Sequence, residues 1–155
     1  MYAHNLIDGP TELCVEGLRK LLDDPDEDVR QETDWFVHRL REGHMFSLRD
    51  FLAEFAASRA FQESPHSFDE YLWENGEIDP NWALEMVGVI LDNAHPVGRH
   101  GAWRGGEELV RLVLRIYTDP TADAARRTHA MDTFDRLMDQ FATYAWTALE
   151  EWDRN

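Results

Sequence analysis

Apolar residues recur at spacings of three and four along nearly the whole chain, and almost no segment alternates at two. That period predicts helices and no strand. From Pro10 to Asp23, Leu13, Val15, Leu18, Leu21 and Leu22 line one side of a first helix. Asp24-Pro25 ends it, because the residue before a proline is pushed out of the helical region. Asp26 is placed to cap a second helix, with Glu27 and Asp28 at the positive end of its dipole. Val29, Thr33, Phe36, Val37 and Leu40 form its expected stripe, and Gly43 is the natural stop. A third helix is expected from a Ser47 cap to about Phe61, with Leu48, Phe51, Leu52, Phe55 and Ala56 inward. Ser64-Pro65 opens a shorter one through Phe68, Tyr71 and Leu72, ending at Gly76. Asp79-Pro80 has the cap-then-proline order that favours a helix start, here with Ala83, Met86, Val87, Ile90 and Leu91 buried.

Further along, Leu109, Leu112, Val113 and Ile116 mark another helix. Asp119-Pro120 opens a long one carrying Ala124, Thr128, Met131, Phe134, Leu137 and Met138, and Tyr144, Ala145, Ala148, Leu149 and Trp152 make a closing helix. The fold class is therefore all-α, with about eight helices and no sheet. The Asp-Pro pairs at 24–25, 79–80 and 119–120 each fall where one helical pattern gives way to the next. The first and third have similar lead-ins and lie 95 residues apart, close to two periods of a helical repeat of roughly 40–47 residues. The arrangement predicts a right-handed α-solenoid of roughly three to four antiparallel helix pairs. It would form a single helical-repeat domain over 1–155, with an N-terminal extension at 1–9 and a Gly/Arg-rich inter-helix loop at 95–106.

The stretch Leu21-Leu22-Asp23-Asp24-Pro25-Asp26-Glu27-Asp28-Val29-Arg30 resembles the inter-helix turn of HEAT repeats. That resemblance implies that Val29 packs within a helix pair and that Arg30 helps link successive repeats. Glu32, Thr33, Asp34 and Trp35 follow where many HEAT helices carry small alanines. The segment from Leu109 to Trp152 is similar to the closing part of large bacterial STAND-type ATP-binding proteins. The phrases that carry the likeness are Leu109-Val110-Arg111-Leu112-Val113-Leu114-Arg115-Ile116-Tyr117, Asp132-Thr133-Phe134-Asp135-Arg136-Leu137-Met138, and Tyr144 ahead of Ala148-Leu149-Glu150. It implies a helical-repeat sensor or scaffold part. It does not bring nucleotide chemistry, because the sequence has no Gly-x-x-x-x-Gly-Lys-Ser/Thr loop to cradle phosphates.

Charge narrows the functional classes. With 31 Asp+Glu against 15 Lys+Arg the net charge is −16, and protonating all seven histidines would leave it strongly negative. Direct nucleic-acid binding, which relies on Lys and Arg displacing counterions, is not expected. The single cysteine, Cys14, cannot form an internal disulfide, and the first residues lack a basic-then-apolar leader, so the expected location is cytoplasmic. The longest apolar run, Ala83 to Leu91, is too short to span a bilayer.

Tests for chemistry mostly fail. Asp24-x-Asp26-x-Asp28 opens like a calcium loop, but Val29 stands where glycine is needed and Trp35 where glutamate is needed. His38 with His44, and His95 with His100, do not supply converging zinc ligands, so no metal and no cofactor is expected. Asp132, Asp135 and Asp139 share a helix face with Arg136 beside them, which reads as a solvated acidic face with a local ion pair. Without a nucleophile elbow or a partnered cysteine, no catalytic residue is assigned. The unusual segment is Gly98-Arg99-His100-Gly101-Ala102-Trp103-Arg104-Gly105-Gly106. Arg99, His100, Trp103 and Arg104, with Trp73 extending past its buried stripe, are the candidate partner-binding residues, since Trp and Arg dominate interface hot spots. Trp35, Trp82, Trp146 and Trp152 are expected on helix-packing faces. The expected function is a non-enzymatic interaction or scaffold module docking a basic protein. The alternative is an acidic immunity or antitoxin-type inhibitor of a basic toxin or nuclease, and a hydrolase using grooved carboxylates ranks third.

Overall fold

The structure, a computed structural model, describes residues 12–93 and 106–154. Among the described residues there are nine helices and no strand: α1 (Glu12–Arg19), α2 (Glu27–Val37), α3 (His44–Ser47), α4 (Arg49–Ala56), α5 (Arg59–Glu63), α6 (His66–Asn75), α7 (Pro80–Asn93), α8 (Gly106–Thr118) and α9 (Ala124–Trp152). The chain divides into two compact units, Met1–Phe68 and Asp69–Asn155.

In the first unit the acidic turn behaves as its residue types dictate. Asp24 Oδ1 accepts the Asp26 N–H, and Asp26 Oδ1 accepts the Asp28 N–H as the N-cap of α2. Past Arg19 the first helix tightens into three-residue hydrogen bonds, Leu21 N–H to the Leu18 carbonyl and Leu22 N–H to that of Arg19. The α2 stripe differs from the expected one. Arg30, Thr33, Phe36 and Val37 are buried, whereas Val29 is only half-buried. The helix also stops at Val37, well before Gly43, and the short α3 buries Met45 completely.

The predicted helix from Ser47 to about Phe61 is two helices. Ser47 closes α3, and α4 starts after Leu48 with no side-chain cap. The break lies at Ser58, whose hydroxyl donates to the Phe55 carbonyl and whose Oγ accepts the Phe61 N–H. The other first-turn amides of α5 are met by the acidic turn: Arg59 N–H donates to Asp23 Oδ1 and Ala60 N–H to the Leu22 carbonyl. With Ser58 N–H donating to the Phe55 carbonyl, all four donors that a helix start leaves open are satisfied, which explains a five-residue helix here. An aromatic chain fills the core. Phe36 meets Phe51 edge-on, Phe51 stacks near Phe55, and Phe55, Phe61 and Phe68 meet mutually edge-to-face with centroids 5.6–6.1 Å apart.

In the second unit Asp79 and Pro80 start α7 as expected, with Asp79 Oδ1 accepting the Trp82 N–H. The helix buries Trp82, Ala83, Leu84, Met86, Val87, Ile90 and Leu91, and α8 buries Leu109, Val110, Leu112, Val113 and Ile116. Both pack on α9. Asp119-Pro120 forms a turn rather than a helix start. Asp119 Oδ1 accepts from the Thr121 N–H and hydroxyl, and Asp123 caps α9 by accepting the Arg126 N–H. The two helices expected after it are one helix of 29 residues, because no proline or glycine interrupts the chain between Thr121 and Trp152. Its buried face is also rotated from the expected one. Ala130, Thr133 and Leu137 are buried, Phe134 and Met138 are half-buried, and Ala124, Thr128 and Met131 are exposed. Thr133 tolerates burial because its hydroxyl donates to the His129 carbonyl.

Candidate functional site

Of the residues singled out in the sequence, Arg99, His100, Trp103 and Arg104 lie outside the described residues, as does His95. Trp73 is half-buried on α6. The Arg115 guanidinium lies 4.0 Å from the centre of its ring, donates to the Trp73 carbonyl, and holds Nε 3.0 Å from Glu77 Oε1. One face of the indole is therefore occupied by the chain's own cation, an arrangement worth about 0.5–2 kcal/mol. Burial lowers the Arg115 pKa while Glu77 opposes the shift. Trp73 serves here as a platform that positions Arg115.

The clearest polar construction in the first unit is built on Arg30. Its side chain is 3% exposed and forms a two-pronged pair with Glu63 on α5, Nε to Oε2 and NH2 to Oε1, each at 2.6 Å; it also donates to the Asp24 carbonyl. The planar guanidinium fits a carboxylate in this fork geometry, which lysine cannot reproduce. The hydrogen bond from Arg30 holds the Glu63 carboxyl below its ordinary pKa, against burial and with help from Arg59. Beside the pair is a cavity of about 250 Å³ lined by Glu27, Arg30, Gln31, Asp34, Ala60, Glu63 and Ser64. Its only guanidinium is already committed to Glu63 and to backbone, so it offers no unspent cation to an anionic ligand. The pair joins residues 33 apart, and no local spacing announces it.

The second unit holds a buried carboxyl. Asp69 has no exposed surface, neither of its oxygens has a hydrogen-bond partner, and Glu108 presents a buried, unpartnered Oε2. Burial first, and the Glu108 charge second, raise the Asp69 pKa well above its ordinary value. Asp69 can hold a proton, but it offers no surface at which a substrate atom could meet it. A signal for this residue existed: Asp69 falls next to Phe68 and three positions before Leu72, on the apolar side of α6.

Metal and acid–base candidates disperse. His44 Nδ1 accepts the Arg41 N–H, and burial together with Arg41 lowers its pKa. Among the described residues no three His, Cys, Asp or Glu side chains converge to hold a metal ion. Asp132, Asp135 and Asp139 are exposed, and Arg136 does not pair with them. It reaches Asp92 on α7 at 2.5 Å.

The outer side of α9 is the remaining feature. Of the tryptophans expected on packing faces, Trp82 is buried and Trp35 half-buried beneath Arg39, but Trp146 is 60% and Trp152 37% exposed. Met131, Met138 and Leu149 fall in one line, since spacings of seven and eleven residues are close to whole numbers of turns. Rotating by 100° per residue puts Trp146 on one side of that line and Trp152 on the other. Asp132, Asp135, Asp139, Glu150 and Asp153 are exposed along the Trp146 side. Among the described residues no helix is long and apolar enough to cross a membrane. Comparison with known protein families, with curated proteins and with solved structures gives no match for this chain.

Proposed function

We propose that this chain is a non-enzymatic protein–protein interaction module of the cytoplasm, a HEAT-like helical stack whose acidic surface docks a partner protein carrying a basic surface. One observation carries the reading: five arginines are engaged by the chain's own carboxylates, while a surplus of carboxylates is left exposed. Arg19 reaches Glu54, Arg30 reaches Glu63, Arg111 reaches Glu107 and Glu151, Arg115 reaches Glu77, and Arg136 reaches Asp92. Asp132, Asp135 and Asp139 stay exposed in a chain of net charge −16. Such a surface attracts a basic partner over long range and raises the encounter rate more than the final affinity.

The HEAT-like part of the reading is supported by Arg30, which ties the acidic turn to a later helix as the arginine of that motif would. It is supported too by Arg111, early in α8, meeting Glu151, late in α9, as an antiparallel pair requires. The cytoplasmic part rests on the single, buried Cys14. The test is recovery of the native chain with its bound protein, followed by association kinetics at increasing salt. A basic partner whose association slows steeply with salt supports the proposal; an acidic partner, or a salt-independent rate, overturns it. If that partner is an enzyme that loses activity in the complex, the module is an inhibitor of the immunity type.

A further inference from the structure

We propose that the outward side of α9 is the docking surface, and that its occupant is a basic amphipathic helix of the partner protein. This rests on the acidic-docking reading above and assigns it a place and a partner chemistry. Trp146 is 60% exposed, Met131 38% and Trp152 37%, three large apolar side chains on one helix. Their exposure has an alignment that scattered surface residues lack. Met131 lies midway between the directions of the two tryptophans around the helix axis. Asp132, Asp135 and Asp139 stand exposed beside them. The arginines of the helix turn elsewhere: Arg126 to Asn81, Arg127 to the Asp119 carbonyl and Arg136 to Asp92. The face thus combines apolar anchors with unopposed negative charge.

That combination selects among occupants. An incoming helix that lays an apolar stripe on Met131 and the tryptophans, with Lys or Arg along its border, satisfies both features at once, as in helix-docking recognition. A second copy of this chain would bring the same carboxylates against them, and like charges across an interface oppose pairing. An anionic membrane is repelled for the same reason.

The probe is a labelled leucine–lysine peptide that forms a basic amphipathic helix, with a leucine–glutamate twin as control, titrated with the full chain by fluorescence anisotropy at physiological salt. The lysine peptide is expected to bind and the glutamate twin to show no binding. Trp146→Ala, and separately the triple variant Asp132→Asn, Asp135→Asn, Asp139→Asn, should each weaken binding about tenfold or more, the size of a hot-spot loss. A charge-matched control in the first unit, Glu32→Gln, Glu42→Gln, Asp50→Asn, removes the same charge without altering α9 and should change it less than about twofold. All seven positions are exposed, and circular dichroism verifies that each variant keeps its helices. Peptide binding unaltered by both α9 variants overturns α9 as the site while leaving acidic docking standing. Equal binding of the two peptides overturns both. A dimer of the free chain that Trp146→Ala dissolves overturns the partner assignment in favour of a second copy.

Discussion

Asp69 is the residue at which burial and charge conflict most directly. An aspartate in an unfolded chain titrates near about 4, whereas burial and the Glu108 carboxylate hold the folded Asp69 carboxyl protonated to higher pH. Folding therefore takes up a proton between the two values. The contribution to stability is complete below the unfolded pKa and is lost as pH rises through the folded one. Asp69→Asn cannot ionise. The melting temperatures of the two proteins should coincide in acid and separate in the variant's favour as pH rises toward neutrality. A separation that does not vary with pH would show that Asp69 titrates normally. Gly76 poses a purely steric case. A Cβ there would lie 2.6 Å from Leu112 Cδ1 and 2.6 Å from the Leu72 carbonyl oxygen. The second neighbour is backbone and cannot rotate away. Gly76→Ala is expected to cost about 1–3 kcal/mol, the range for overpacked cores, as measured by denaturant unfolding.

At the scale of elements, α5 shows how a short helix survives. Isolated helices of this length do not form in water, and α5 exists because Ser58, Asp23 and the Leu22 carbonyl receive its first amides while Phe61 enters the aromatic chain. Ser58→Ala should destabilise the fold by about 1 kcal/mol, the usual worth of an N-cap. Phe55→Ala, which removes the ring common to three of the aromatic contacts, should cost about 3–5 kcal/mol. Chemical denaturation followed by circular dichroism separates these magnitudes. Legibility of the elements follows the range of the forces. The starts of α2 and α7 can be read in the sequence because Asp26, Asp79 and Pro80 act within three residues. The break at Ser58 cannot, since part of what makes it comes from Asp23, 36 positions away from Arg59. Nor can the rotation of α9, where alternative apolar stripes differ by one residue and α7 and α8 decide which is buried. The candidate surface is half legible on the same grounds. Tryptophans and aspartates on a helix are visible in sequence, but exposure of Trp146 depends on where its neighbours end.

For the molecule as a whole, one surplus of negative charge acts on stability and on association with opposite responses to salt. Mutual repulsion among exposed carboxylates opposes the compact state. Ion pairs such as Arg19–Glu54 and Arg136–Asp92, both partly exposed, contribute little each. Salt shortens the screening length from about 10 Å at 0.1 M to about 3 Å at 1 M. It therefore removes long-range repulsion, spread over many pairs, more completely than it removes contacts at 2.5–2.8 Å. The melting temperature at neutral pH should consequently rise between dilute buffer and 0.5 M sodium chloride, while the association rate with a basic partner falls over the same interval. Neutralising Asp132, Asp135 and Asp139 tests the common cause, because it should reduce both slopes together: three fewer charges repel within the fold, and three fewer attract the partner. Calorimetry and stopped-flow binding on the same preparations make the comparison direct. A melting temperature that falls with salt would mean that the arginine–carboxylate pairs outweigh the repulsion, and the pairing of these cations would then be a device for stability rather than the consequence of an outward-facing acidic surface.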